Sequence, residues 1–152
     1  MTYRLAIVDD HMLVREGMID ILSSQPDFEV AGEGASADDA VRLVTELRPH
    51  LVCLDVNMPG GGVEAVARVQ AAAPEVRIVM FSFRQDLDIV QSCLAAGADG
   101  YIVKGVSGPE LVGVVRKILG GDRHIDPKLA LSFSPTLQHR TLTIGELVGA
   151  EA

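Results

Sequence analysis

Tryptophan is missing from this 152-residue chain and aromatic residues make up only 4% of it. Its core must therefore be aliphatic, built from Val, Leu, Ile, Ala and Met. Cysteine is scarce too: Cys53 and Cys93 lie in apolar surroundings and fit no CxxC or Cys/His spacing. That excludes a disulfide framework or a thiolate metal site and reads as two buried, reduced thiols of a cytoplasmic protein. No apolar run approaches the roughly 20 residues that span a bilayer. The N-terminal stretch MTYRLAIVDDHM ends its short apolar run in two acids, which is not a signal-peptide pattern, so no membrane partner is expected. Positive charge is also in short supply. With 13 Lys and Arg against 21 Asp and Glu, the formal net charge is −8, which argues against a general attraction to nucleic acid or anionic lipid. What is present, 48% hydrophobic and 22% charged residues, is the composition of a folded domain of ordinary size with a short extension.

Five short apolar runs alternate with five amphipathic ones. RLAIV (4–8), EVAGE (29–33), LVCL (51–54), RIVMF (77–81) and GYIVK (100–104) read as strands. The third and fourth are near-continuously apolar, as strands covered on both faces are. The first helical pattern places Leu13, Val14, Met18, Ile21 and Leu22 on one face. The second opens at Ser36 with Asp39 three residues on, a capping-box-like start. The third covers about 64–73 and stops before Pro74, and the fourth runs from near Asp86 to Ala96 with Gly97 as its stop. The fifth begins SGPE, with Ser107 as N-cap and Pro109 in the first turn, and ends at Gly120 and Gly121. Strands that each lead into a helix predict a doubly wound α/β fold, a five-stranded parallel sheet flanked by five helices. Ligands of such folds bind beyond the carboxyl ends of the strands, where the strand order reverses.

Those ends carry Asp9 and Asp10, Asp55, Ser82 and Lys104. Singly, each has an ordinary explanation: a turn or helix cap, a strand leaving the core, a loop hydroxyl, a lysine reaching solvent. Jointly they place three carboxylates, a hydroxyl and an ammonium at one edge of the sheet. Neighbouring carboxylates cannot all remain ionised without a countercharge. A hard oxygen donor set suits Mg²⁺, and Lys104 adds a fixed positive charge. The combination fits phosphate chemistry, with Asp55 in the central strand as nucleophile.

The set IVDDH, CLDVNMPGGG, VMFSF and GADGYIVKGVS resembles the receiver domain of bacterial two-component response regulators, a flavodoxin-like fold, over about residues 3–121. The stretches VREGMIDILSSQPDFEVAGEGASADDAV and GGDRHIDPKLA are similar to the LuxR-type, NarL-like branch. The resemblance implies that Asp55 accepts a phosphoryl group from a histidine kinase. It implies that Asp10, Asp55 and the backbone carbonyl of Asn57 ligate Mg²⁺, with Asp9 acting mainly through a metal-bound water. Lys104 would pair with the phosphoryl oxygens, Ser82 would move to hydrogen-bond them, and Tyr101 would rotate inward behind it. The face of the fourth helix, fifth strand and fifth helix would then switch and offer a homodimer surface. Such domains normally control transcription through an output domain, and they are not turnover enzymes but switches with slow autodephosphorylation.

Three departures from the family pattern stand out. The loop after Met58 and Pro59 runs Gly60, Gly61, Gly62 into Val63 and is one residue short. The position after Ser82, usually small, is Phe83, which either restricts access to the phosphoryl group or points away onto the fourth helix. Arg84 and Asn57 flank that approach and would tune hydrolysis. Finally, residues 122–152 read as a linker with Pro127 and Pro135 and a residual C-terminal segment. LTIGE (142–146) faintly echoes the start of a helix-turn-helix domain, but no recognition helix or basic cluster follows, so no DNA binding is expected of these residues. A phosphorylation-independent interaction domain remains open, as does an aspartyl-phosphate hydrolase. Against the hydrolase, the position two residues after Asp55, where such enzymes carry a second acid, holds Asn57.

Overall fold

The chain alternates strand and helix throughout the residues that the computed structural model describes, 1–129. In order they are β1 (Tyr3–Val8), α1 (Met12–Ser23), β2 (Phe28–Gly34), α2 (Ala37–Leu47), β3 (Leu51–Leu54), α3 (Gly62–Ala72), β4 (Arg77–Ser82), α4 (Leu87–Ala96), β5 (Gly100–Val103), α5 (Gly108–Leu119) and β6 (His124–Ile125). All six strands are parallel, in the order β2-β1-β3-β4-β5-β6. The doubly wound fold is as expected, with one strand more than the five predicted. The order reverses between β1 and β3, which puts Asp9, Asp10 and Asp55 on the two loops that flank the switch point.

The alternation of side chains sorts the core into two layers. Ala6, Val8, Val52, Leu54, Ile78 and Met80 face α2, α3 and α4, while Leu5, Ile7, Leu51, Cys53, Val79 and Phe81 face α1 and α5. Every residue of β3 is buried, which is why LVCL shows no polar alternation. Each large aliphatic side chain so buried contributes about 1.5–3 kcal/mol. Burial also pushes the thiols of Cys53 and Cys93 up to about 12, so both remain protonated and unreactive. Among the described residues no helix is long and apolar enough to cross a membrane.

Local sequence explains the helix ends. Ser36 accepts a hydrogen bond from the Asp39 N–H at 3.1 Å, and the Asp39 carboxylate in turn accepts from the Ala35 N–H at 2.9 Å. That bond holds the Asp39 carboxyl below its ordinary range. Ser107 accepts from the Glu110 N–H at 3.2 Å. Caps of this kind contribute about 1 kcal/mol each. One predicted face is corrected: Leu13 is 84% exposed. It lies about 100° around the helix from Val14, off the seam formed by Val14, Met18, Ile21 and Leu22.

The packed unit also runs beyond Gly121, into the segment read as linker. β6 pairs with the outer edge of β5, Leu129 is fully buried, and Asp126 is buried beside it. The face of α4, β5 and α5 therefore has β6 lying along its strand. The rest of 122–152, including LTIGE, falls outside the described residues.

Candidate functional site

β1 and β3 are neighbours in register, Val8 against Leu54, so the residues that follow them emerge side by side. The Asp55 N–H donates to the Val8 carbonyl at 3.0 Å, and the Asp9 N–H donates to Gly34 at 3.0 Å. These bonds anchor both backbones and aim both carboxylates at one pocket. Asp9 and Asp55 are 1% and 2% exposed, whereas the Asp10 side chain is one-third exposed at the rim. From the far side, the Lys104 N–H donates to the Ser82 carbonyl at 2.8 Å, joining the ends of β4 and β5. The Lys104 Nζ then stands 2.7 Å from Asp9 Oδ2 and 3.5 Å from Asp55 Oδ2.

Two buried carboxylates thus face one ammonium, with a third, Asp10, at the rim. Burial raises the Asp55 pKa above the usual carboxylate range, and the charge of Asp9 adds to the rise against the opposing pull of Lys104. Asp55 Oδ1 accepts weakly from the Asn57 N–H at 3.3 Å. Asp55 Oδ2 has no hydrogen bond, and neither has Asp9 Oδ2; each faces the Lys104 ammonium as an ion pair.

Residues 5–116 match the family model for the response regulator receiver domain. The chain belongs to that family. Among curated relatives it is 35% identical over 127 residues to the transcriptional regulatory protein DegU of Brevibacillus brevis, covering 83% of this chain and 54% of that one. It is 34% identical to the response regulator GacA of Pseudomonas aeruginosa, covering 84% and 60%, and 35% identical to VraR of Staphylococcus aureus, covering 92% and 68%. The chain therefore spans just over half the length of the first two. Among solved structures, a LuxR-family response regulator from Aurantimonas aligns with a TM-score of 0.81 at 36% identity, covering 86% of this chain and 94% of that one. The receiver domain of a NarL regulator from Mycobacterium tuberculosis aligns at 0.76 and 30%, covering 79% and 98%. This receiver is of the LuxR/NarL type.

Within the receiver, every residue predicted for the site lies at or beside this pocket. Ser82 is fully buried, and its Oγ accepts from the Arg84 N–H at 3.1 Å. Tyr101, expected to rotate inward, already lies inward and fully buried, and its hydroxyl donates to the Arg84 carbonyl at 2.7 Å. Burial pushes that hydroxyl up to about 12, so it stays a donor. Arg84 spans the approach, its guanidinium donating to Asn57 Oδ1 at 3.3 Å and to both oxygens of Asp86. Phe83 does not pack away on α4. It is 64% exposed, and its ring centroid lies 5.2 Å from the Lys104 Nζ, at the mouth of the pocket.

The glycine loop works by two different means. Gly60 and Gly61 have φ of 94° and 78°, the left-handed region that non-glycine residues avoid. Gly62 has no such φ, but a Cβ there would meet the Val56 Cα at 2.4 Å, so the loop closes against the backbone next to Asp55. Two contributors escaped the sequence reading. His11 follows the acid pair, and its N–H donates to Asp9 Oδ1 at 2.9 Å, while its Nδ1 lies 3.2 Å from Asp10 Oδ1. Arg15, one turn later, donates to the Asp9 carbonyl and to Glu33 and so pins the loop. Position alone signalled them: His11 follows the acid pair directly and Arg15 lies in the first turn of α1.

Asp9, Asp10, His11 and Asp55 each offer a ligand atom within 4.8 Å of the others. With two buried oxygens lacking hydrogen bonds and an excess of negative charge, this donor set fits a divalent cation.

Proposed function

We propose that this receiver is a phosphoacceptor switch of a two-component system, storing on Asp55 a phosphoryl group taken from the phosphohistidine of a cognate histidine kinase. The observation that carries the reading is the buried Asp55 oxygen without a hydrogen bond, held between Lys104 and two further carboxylates. In the transfer an Asp55 oxygen attacks phosphorus while the P–N bond to the kinase histidine breaks. The imidazole keeps the electron pair and takes up a proton, and an acyl phosphate remains on Asp55. Asp10, Asp55 and the Asn57 carbonyl would hold Mg²⁺, with Asp9 acting through a bound water. When bound, Mg²⁺ offsets charge on the phosphoryl oxygens.

Lys104 takes over one phosphoryl oxygen as its pairing with Asp55 is lost, and Ser82 exchanges its bond from the Arg84 N–H for one to the phosphoryl group. Tyr101 holds the Arg84 carbonyl and couples that exchange to α4 and β5, whose packing is the switched element. Asn57, an amide that Arg84 engages, supplies no proton to water or leaving group, which favours storage over turnover. The reading places the protein in the cytoplasm, upstream of a transcriptional output, with self-association through α4, β5 and α5.

Incubation with Mg²⁺ and acetyl phosphate tests it by mass spectrometry. An adduct of about 80 Da, one phosphoryl group, that persists for minutes and is absent from Asp55→Asn is expected. Continuous phosphate release over many turnovers would instead indicate a hydrolase, and no adduct would indicate a phosphorylation-independent interaction domain.

A further inference from the structure

The phosphoacceptor reading leaves His11, at the rim of the pocket, without a task. Its side chain is 61% exposed, so hydrophobic burial does not drive it against the acids. Even so, its Nδ1 faces oxygens of three aspartates from two separate loops: Asp10 Oδ1 at 3.2 Å, Asp9 Oδ1 at 3.4 Å and Asp55 Oδ2 at 4.0 Å. The backbone fixes the residue as well. His11 is the N-cap of α1, its N–H is bonded to Asp9, and its carbonyl accepts from the Arg15 N–H at 2.9 Å.

Donor atoms bound about 2.1 Å from one octahedral cation lie about 3.0 Å apart when adjacent and about 4.2 Å apart when opposite. The separations of Nδ1 from Asp10 Oδ1 and Asp55 Oδ2, the two carboxylates read as direct ligands, match the adjacent and opposite spacings. Of the oxygens that face Nδ1, Asp55 Oδ2 is buried and has no hydrogen bond, an independent sign that the space beside it accommodates a ligand. A neutral imidazole adds little to a site for Mg²⁺, which prefers oxygen donors. It adds much more for the later first-row divalent ions, whose affinity for nitrogen rises along the series.

We propose that His11 is a metal-ligating residue of this receiver, donating through Nδ1, and that it shifts the site's selectivity from Mg²⁺ toward borderline divalent ions such as Mn²⁺ and Co²⁺. The proposal rests on the reading of the pocket as a divalent-cation site and adds a ligand and a selectivity to it. His11 is exposed and takes no part in the core, so His11→Ala leaves the fold intact, which circular dichroism checks.

Two measurements test the assignment. Pulsed electron paramagnetic resonance of bound Mn²⁺ is expected to show ¹⁴N modulation in the wild-type chain and none in His11→Ala, with Asp55→Asn reporting binding elsewhere on the chain. Calorimetric titration is expected to show the ratio of Co²⁺ to Mg²⁺ affinity falling about tenfold in His11→Ala, with Mg²⁺ affinity nearly unchanged. Mn²⁺ bound at the Asp55-dependent site without ¹⁴N modulation, or an unchanged affinity ratio, would overturn the assignment and leave His11 as the helix cap beside the acids. Failure of any divalent ion to bind the wild-type chain would overturn the underlying metal reading as well, and the two failures are thereby distinct.

Discussion

Asp55 and Asp126 are both buried carboxylates just beyond strand ends, 2% and 4% exposed, yet their surroundings differ in kind. Both oxygens of Asp126 are engaged: Oδ2 accepts from the Val103 N–H at 3.1 Å and Oδ1 from the Lys128 N–H at 3.0 Å. Asp55 has one long bond at Oδ1 and none at Oδ2. A buried polar atom that is satisfied holds structure together, and one that is not costs about 1–3 kcal/mol unless something arrives to meet it. The contrast separates a carboxylate that builds the fold from one that the proposed function reads as kept for a ligand.

The largest way to break this comparison is Asp55→Asn. It is expected to abolish the phosphoryl adduct completely while raising stability at neutral pH in chelator. A carboxyl whose folded pKa stands above its unfolded value binds more protons folded than unfolded between those two values. Stability therefore falls as pH rises through that window, and the penalty is complete above it. The stabilisation by Asn should be full above the raised folded value and vanish as pH falls below the ordinary carboxylate value of 3.8. Thermal melts across pH measure it, and a variant less stable than wild type at pH 7 would contradict the assigned cost.

Asp126→Ala should do the reverse. It strands the buried Val103 N–H, so unfolding in urea should show a loss of about 2–3 kcal/mol, with the acetyl phosphate adduct retained. Asp126→Asn, which keeps an accepting oxygen, should lose less than half as much. The smallest effect belongs to the rim. Phe83→Ala removes the ring that lies over Lys104, and both gain and loss of the phosphoryl group should quicken by a few fold. Unchanged rates on both sides would show that Phe83 does not restrict access.

The five main strands and the pocket were legible from sequence because each rests on a local rule. Near-continuous apolar runs mark covered strands, Ser36 and Ser107 mark helix starts, and the fold carries the strand-end residues to one edge. β6 was not legible, since two residues, His124 and Ile125, carry no periodicity, and Pro127 next to them reads as a linker. Leu13 was misplaced because an apolar residue off the seam looks like one on it when faces are read from composition. The side of Phe83 depends on a cation–π contact with Lys104, twenty-one positions away, and no local pattern encodes that. Gly62 looked equivalent to its two neighbours, although its reason is the nearness of the Val56 backbone.

β6 has a mechanical consequence. The chain leaving the domain is tied to β5 through the Asp126 N–H to the Tyr101 carbonyl at 3.0 Å and the Val103 N–H to the Asp126 carboxylate. These attachments flank the strand that carries Tyr101 and delivers Lys104. A shift of β5 along its axis would strain both bonds at once. β5 thus joins two features, with Lys104 at its carboxyl end and Asp126 bonded along its edge.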